Sequence, residues 1–182
     1  KCQAQTDGAL KCSAVEKTPC VVSLSYCQDF EGTGTIKSMG WLPGDVAGSA
    51  ATNWGVSKIG PLGPDQYARL TWTPTKTNFL TCLQSPVIQA AGASAITMQF
   101  DRSFLPAIAN TTLTIRGSLG GAAADWNAAS ILDGPIATTD QLGPDKLTIK
   151  LPPELTGSNG LRLAFCVAAS GSGSSSPSSC CC

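Results

Sequence analysis

Histidine is absent from all 182 residues. That removes the usual general base, the usual imidazole ligand for zinc, and the serine triad in its common form. Charge is scarce as well: Lys and Arg number 12, Asp and Glu number 12, and only 13% of residues are charged. A chain with no net field has little with which to recruit nucleic acid or an anionic membrane surface. No apolar run reaches the roughly 18 residues of a spanning helix, so no membrane span is expected. The sequence opens "KCQAQTDGAL", with neither an initiator Met nor a basic-then-apolar leader. It is expected to be a processed segment whose export signal lies upstream. A phosphate-cradling loop is missing too, because "GSLGGAAADW" at 117–126 lacks the Lys that such a loop needs and is expected to be a turn.

Nine cysteines, 19 glycines and 12 prolines are present. Cysteine at that density suits an oxidising compartment, which predicts an extracellular or cell-surface location. Cys2, Cys12, Cys20 and Cys27 fall in residues 1–27, where apolar patterning is thin. This stretch is expected to be a cap or linker held by local disulfides. The spacings of ten, eight and seven, with no CxxC pair, do not fit a zinc ribbon.

From residue 28 to 168 the pattern changes to short alternating runs broken by Gly, Pro, Asn and Asp. In "AITMQFD" Ile96, Met98 and Phe100 share one face, opposite Thr97, Gln99 and Asp101. "TLTIRGS", "KLTIKL" and "LRLAF" alternate in the same way around Leu113 and Ile115, Leu147 and Ile149, and Leu163 and Phe165. Further strands are expected in 53–58, 67–72, 80–88 and 125–131. Many short strands with one wettable face each predict an all-β, antiparallel sandwich of two sheets. Residues 169–182 read as a Ser/Gly/Pro/Cys-rich loop or tail.

Few residues point to chemistry. Asp29 and Glu31, two apart in "CQDFEG", project to one side of an extended chain and form a hard-oxygen pair suited to Ca²⁺. Asn110-Thr111-Thr112 is a sequon, a glycosylation acceptor in a eukaryotic secretory route. Trp41 and Trp126 lie near loops, where an exposed indole could stack on a sugar. Trp72 shares parity with Leu70 and is expected in the core. The remaining carboxylates are scattered, and nothing marks a glycosidase pair.

The order of short signals resembles MAM-like jelly-roll modules of secreted and cell-surface proteins. They are "DFEG" at 29–32, "GW" at 40–41, "NWGV" at 53–56, "LQSPVI" at 83–88, "ITMQFDRSF" at 96–104, "LTIRGS" at 113–118, "DW" at 125–126 and "LPPELTGSNGLRLAF" at 151–165. The resemblance implies a two-sheet jelly roll serving adhesion, oligomerisation or presentation of other domains without catalysis, and it strengthens Asp29 and Glu31 as cation ligands. Such modules close with one more strand, whereas this chain runs into "CVAASGSGSSSPSSCCC". The closing strand is expected beyond Cys182, from a neighbouring protomer, or from "CVVSLSYC" at 20–27, with the first two favoured.

Cys82 and Cys166 both fall in expected strands, and Cys166 has the parity of Arg162, so a bond between them would lie on an outer face. Cys180, Cys181 and Cys182 are left as an odd set, for intermolecular bonding or as unassigned thiols. The expected function is that of a non-enzymatic structural or adhesive module of a larger surface protein or filament, with other modules or copies of itself as partners. The rival is a carbohydrate-binding accessory module of a secreted hydrolase, with glycans as partners.

Overall fold

The computed structural model describes residues 21–23, 26–28, 30–31, 33–58, 65–104, 110–137, 142–170 and 179–181. Twelve strands run in chain order: β1 (Val21–Ser23), β2 (Leu42–Ala47), β3 (Trp54–Ser57), β4 (Tyr67–Thr71), β5 (Phe79–Gln84), β6 (Val87–Gln89), β7 (Thr97–Phe104), β8 (Thr111–Ser118), β9 (Ser130–Ala137), β10 (Leu142–Lys150), β11 (Arg162–Ala169) and β12 (Ser179–Cys181). They form the expected antiparallel sandwich. Sheet I has the order β10-β7-β12-β4-β3 and sheet II the order β2-β5-β11-β8-β9. A small third sheet pairs β1 with β6 in parallel. Of the expected stapled segment at residues 1–27, residues 1–20 with Cys2, Cys12 and Cys20 lie outside the described residues. Cys27 is disulfide-bonded.

The alternation read from the sequence decides which faces meet. Trp54, Ala68, Leu70 and Phe104 of sheet I pack against Phe79, Leu83, Leu113, Ile115, Phe165 and Val167 of sheet II in one apolar core. Phe30, Trp41, Phe165 and Phe100 run through it as a chain of rings, with centroids 5.6, 6.1 and 5.0 Å apart in turn. Trp72 is buried there as expected, beside Phe79 at 6.2 Å.

The run at 80–88 is two strands, because Ser85-Pro86 breaks the ladder between β5 and β6. The expected strand at 125–131 is a turn until residue 129, and β9 begins at Ser130. Alternation misses β2 and most of β9, since "LPGDVA" and "SILDGPIA" contain the Pro and Gly that normally argue against a strand. Both are edge strands, where an absent N–H costs no ladder bond. Pro43 in β2, Pro135 in β9 and Pro144 in β10 thus blunt three of the four edges of the two large sheets.

The interior of sheet I takes its central strand from the C-terminal end of the described residues. Residues 179–181, expected as part of a tail, enter the middle of sheet I as β12, between β7 and β4. The 20–27 segment instead contributes β1, beside β6.

Candidate functional site

The position of β12 makes the gap between β4 and β7 the most unusual feature of the molecule. Along β4 the register is Ser179 to Thr71, Cys180 to Leu70 and Cys181 to Arg69. Along β7 it is Cys180 to Phe104 and Cys181 to Ser103. The described residues of β12 stand opposite two of the eight residues of β7. Among the described residues, no strand pairs with Thr97–Arg102 on the side away from β10. Leu70 and Phe104, opposite position 180, are fully buried.

Both walls of this slot are held by polar side chains. On the β4 side, Asn53 Nδ2 donates to Thr71 O at 2.8 Å and to Pro74 O at 3.0 Å, and Thr71 Oγ1 donates back to Asn53 O at 3.3 Å. On the β7 side, the buried guanidinium of Arg102 reaches two carboxylates. Nη1 donates to Asp133 Oδ2 of β9, and Nε lies 3.3 Å from Asp145 Oδ1 of β10. Since β9 belongs to sheet II and β10 to sheet I, Arg102 clasps the two sheets together at one edge. Charge-assisted bonds to a buried guanidinium are the stronger class of hydrogen bond.

Local backbone brings the two aspartates there. Gly134 follows Asp133 with φ 93°, and Gly143 stands two residues before Asp145 with φ 76°. A Cβ on Gly134 would meet Leu113 O at 2.5 Å, and one on Gly143 would meet Arg102 O at 2.4 Å, so neither position accepts another residue without movement. In the sequence both carboxylates read as scattered. The one local sign is that each aspartate stands in a Gly-Pro turn, Asp133-Gly134-Pro135 and Gly143-Pro144-Asp145.

A second polar cluster sits on the outer face of sheet II. Cys82 and Cys166, directly paired across β5 and β11, form a disulfide there, on the face that the parity of Cys166 indicated. Trp126 folds down from the loop after β8 and buries it together with Ala164. Arg162 is only 2% exposed. Its Nε donates to Ser85 O at 3.0 Å, its Nη1 approaches Gly121 O at 3.4 Å, and its guanidinium lies 5.7 Å from the Trp126 ring centre. Neighbouring Arg116 donates to Trp126 O and to Thr114 Oγ1. Burial pushes Arg162 down to about 10 and lowers Arg116 as well.

This burial gives a pH prediction. The unfolded chain keeps the Arg162 proton to higher pH than the folded one, so stability rises with pH from about 10 towards the ordinary arginine value. Denaturant melts at about pH 9 and about pH 11 should show wild type gaining on Arg162→Met at the higher pH. A stability difference that is the same at both pH values, or that moves against wild type at the higher one, contradicts the lowering of Arg162 by burial.

The residues singled out from the sequence are placed as follows. Asp29 lies outside the described residues. Glu31 is exposed, and its Oε1 accepts the Gln66 N–H at 2.6 Å, tying it to the approach to β4. Among the described residues no group of three or more His, Cys, Asp or Glu is arranged to hold a metal ion. Asn110 is exposed on a turn, with φ 57°, just ahead of β8. Trp41 and Trp126 correct the sugar-stacking expectation, because they are 7% and 4% exposed. Trp41 packs in the core and donates from Nε1 to Tyr26 Oη at 2.9 Å, while Trp126 covers the disulfide. Of Cys180, Cys181 and Cys182, the first two occupy backbone positions in β12 and the third lies outside the described residues.

No protein-family model matches the sequence, and no curated protein gives a significant match.

Proposed function

We propose that this chain is a non-enzymatic extracellular module with a structural or adhesive role, working within a larger surface protein or filament alongside other modules or copies of itself. The observation that carries the reading is the Cys82–Cys166 disulfide between adjacent strands in the interior of sheet II. Such a bond persists in oxidising surroundings and short-circuits 84 residues of chain covalently. The carbohydrate-binding alternative loses its support with the burial of Trp41 and Trp126.

The test is non-reducing peptide mapping by mass spectrometry of natural-source material, aimed at the peptide that holds Cys180, Cys181 and Cys182. A disulfide to another chain is the expected result. Those three thiols free or paired within the chain, together with saturable retention on a glycan array, would overturn the reading in favour of the accessory module.

A further inference from the structure

We infer that Asn110 carries an N-linked glycan whose first sugar is seated in a trench across the outer face of sheet II, a modification that rests on the secreted location proposed above. Three observations carry it.

Sequence and exposure single out the acceptor. Of the five asparagines in the chain, only Asn110 opens an Asn-X-Ser/Thr triplet. It is exposed on a turn with φ 57°, a conformation that asparagine tolerates better than most residues. Its carbonyl accepts the Ser170 N–H at 3.4 Å, which ties the turn to the chain leaving β11.

The trench beside it is built by register. Ala47 of β2 pairs with Leu80 of β5, Leu80 with Ala168 of β11, Ala168 with Thr112 of β8, and Thr112 with Ala137 of β9. One row of residues thus crosses all five strands. Leu80, Ala168 and Thr112 stand two residues from Cys82, Cys166 and Thr114, and so share their outward face. Four of the five members are Ala or Thr, so the row lies low beside the disulfide row that Trp126 covers. With Asn78 and Asn110 it lines a groove of about 750 Å³, inside the range of about 300–1,000 Å³ that holds small organic ligands.

The lining suits a tethered sugar. Among the described residues no charged side chain borders the groove, so an ionic ligand finds no counter-charge there. Methyl groups of Leu80, Ala137 and Ala168 can take the C–H face of a sugar ring, and Thr112 brings a hydroxyl. Phe79, the one aromatic residue along the groove, packs in the core beside Trp72 instead. Without a stacking ring a free saccharide would be held weakly, and a covalent link supplies the local concentration that affinity does not.

The link forms by group transfer. Asn110 Nδ2 bonds to the anomeric carbon of a sugar carried on a polyprenyl diphosphate, the carbon–oxygen bond to the diphosphate breaks, and the diphosphate leaves with that electron pair. One amide proton passes to a base of the transferase. Thr112 is laddered on both sides in the fold, so transfer precedes the pairing of β8 and the folded protein accommodates only the product.

The experiment takes the full chain from its natural source. Amidase treatment in heavy-oxygen water, which labels a formerly glycosylated asparagine, should mark position 110 in the tryptic peptide 103–116. An unlabelled Asn110 overturns the inference. Trimmed by endoglycosidase to a single N-acetylglucosamine, the folded protein should show nuclear Overhauser contacts from the acetyl methyl to the methyls of Ala137 and Ala168. A sugar without contacts to the trench is equally fatal. Secreted from cultured eukaryotic cells, Thr112→Val should lose the label and Thr112→Ser keep it, and a labelled Thr112→Val contradicts the assignment. If Thr112→Val does not fold, Asn110→Asp, which tolerates the same φ, takes its place as the chain without sugar.

The same peptide map reads Cys180 to Cys182. A disulfide to another chain beside an unlabelled Asn110 sinks the glycan and leaves the assembly reading standing. A labelled position 110 with those thiols free and saturable glycan-array retention does the reverse.

Discussion

Removing the Cys82–Cys166 bond should lower folding stability by roughly 4.5 kcal/mol, the loop-closure entropy expected for a crosslink across a separation of 84 residues. The bond joins register partners on adjacent strands, so the sandwich itself holds the two backbones close without it. What changes is the unfolded chain, which gains freedom over nearly half its length. Cys82→Ala with Cys166→Ala is the suitable variant, since both sites are fully buried under Trp126 and a serine pair would add buried hydroxyls. For a domain of this size the loss corresponds to a fall in melting temperature of roughly 10 to 18 °C. Calorimetry of the oxidised protein and the double variant measures it. A change near zero would mean that the unfolded chain already keeps β5 and β11 together.

Trp126→Ala should destabilise the protein by about 3 to 5 kcal/mol, the usual cost of deleting a buried aromatic side chain. The indole is 4% exposed, covers Cys82, Cys166 and Ala164, and supplies the ring that faces Arg162. Without it a guanidinium bonded only to carbonyls would meet water beside an uncovered disulfide. The carbohydrate-binding reading makes the opposite prediction, an unchanged fold with lost glycan retention. Denaturant melts of wild type and Trp126→Ala, paired with a glycan array, separate the two. A stable variant that loses sugar binding would restore Trp126 as a ligand platform.

Parts of this fold were legible because strand alternation is a local property. Leu113 and Ile115, Leu147 and Ile149, and Leu163 and Phe165 were readable as core faces from a few neighbours each, and Cys166 could be set on the outer face from its offset to Arg162. The edge strands were hidden for an equally local reason. Pro43 and Gly134-Pro135 are strand breakers in general, and only an edge position makes them harmless.

The polar sites were illegible for a different reason. Arg102 meets Asp133 and Asp145 at sequence separations of 31 and 43, so no window of ordinary width contains the clasp. A loop tryptophan reads alike whether it faces solvent or a disulfide, and folding of the 119–129 loop onto sheet II put Trp126 in the second state.

By itself, then, the sequence determined an all-β sandwich built around alternating strands, with Cys166 on an outer face and no histidine chemistry. The tertiary structure alone decided that residues 179–181 lie between β4 and β7, that Trp41 and Trp126 are interior, and that one arginine ties the two sheets together. The first set follows from side-chain period and residue type, which each short segment carries within itself. The second depends on which distant segments become neighbours, and in an antiparallel sandwich that is settled only when the whole set of strands competes for partners.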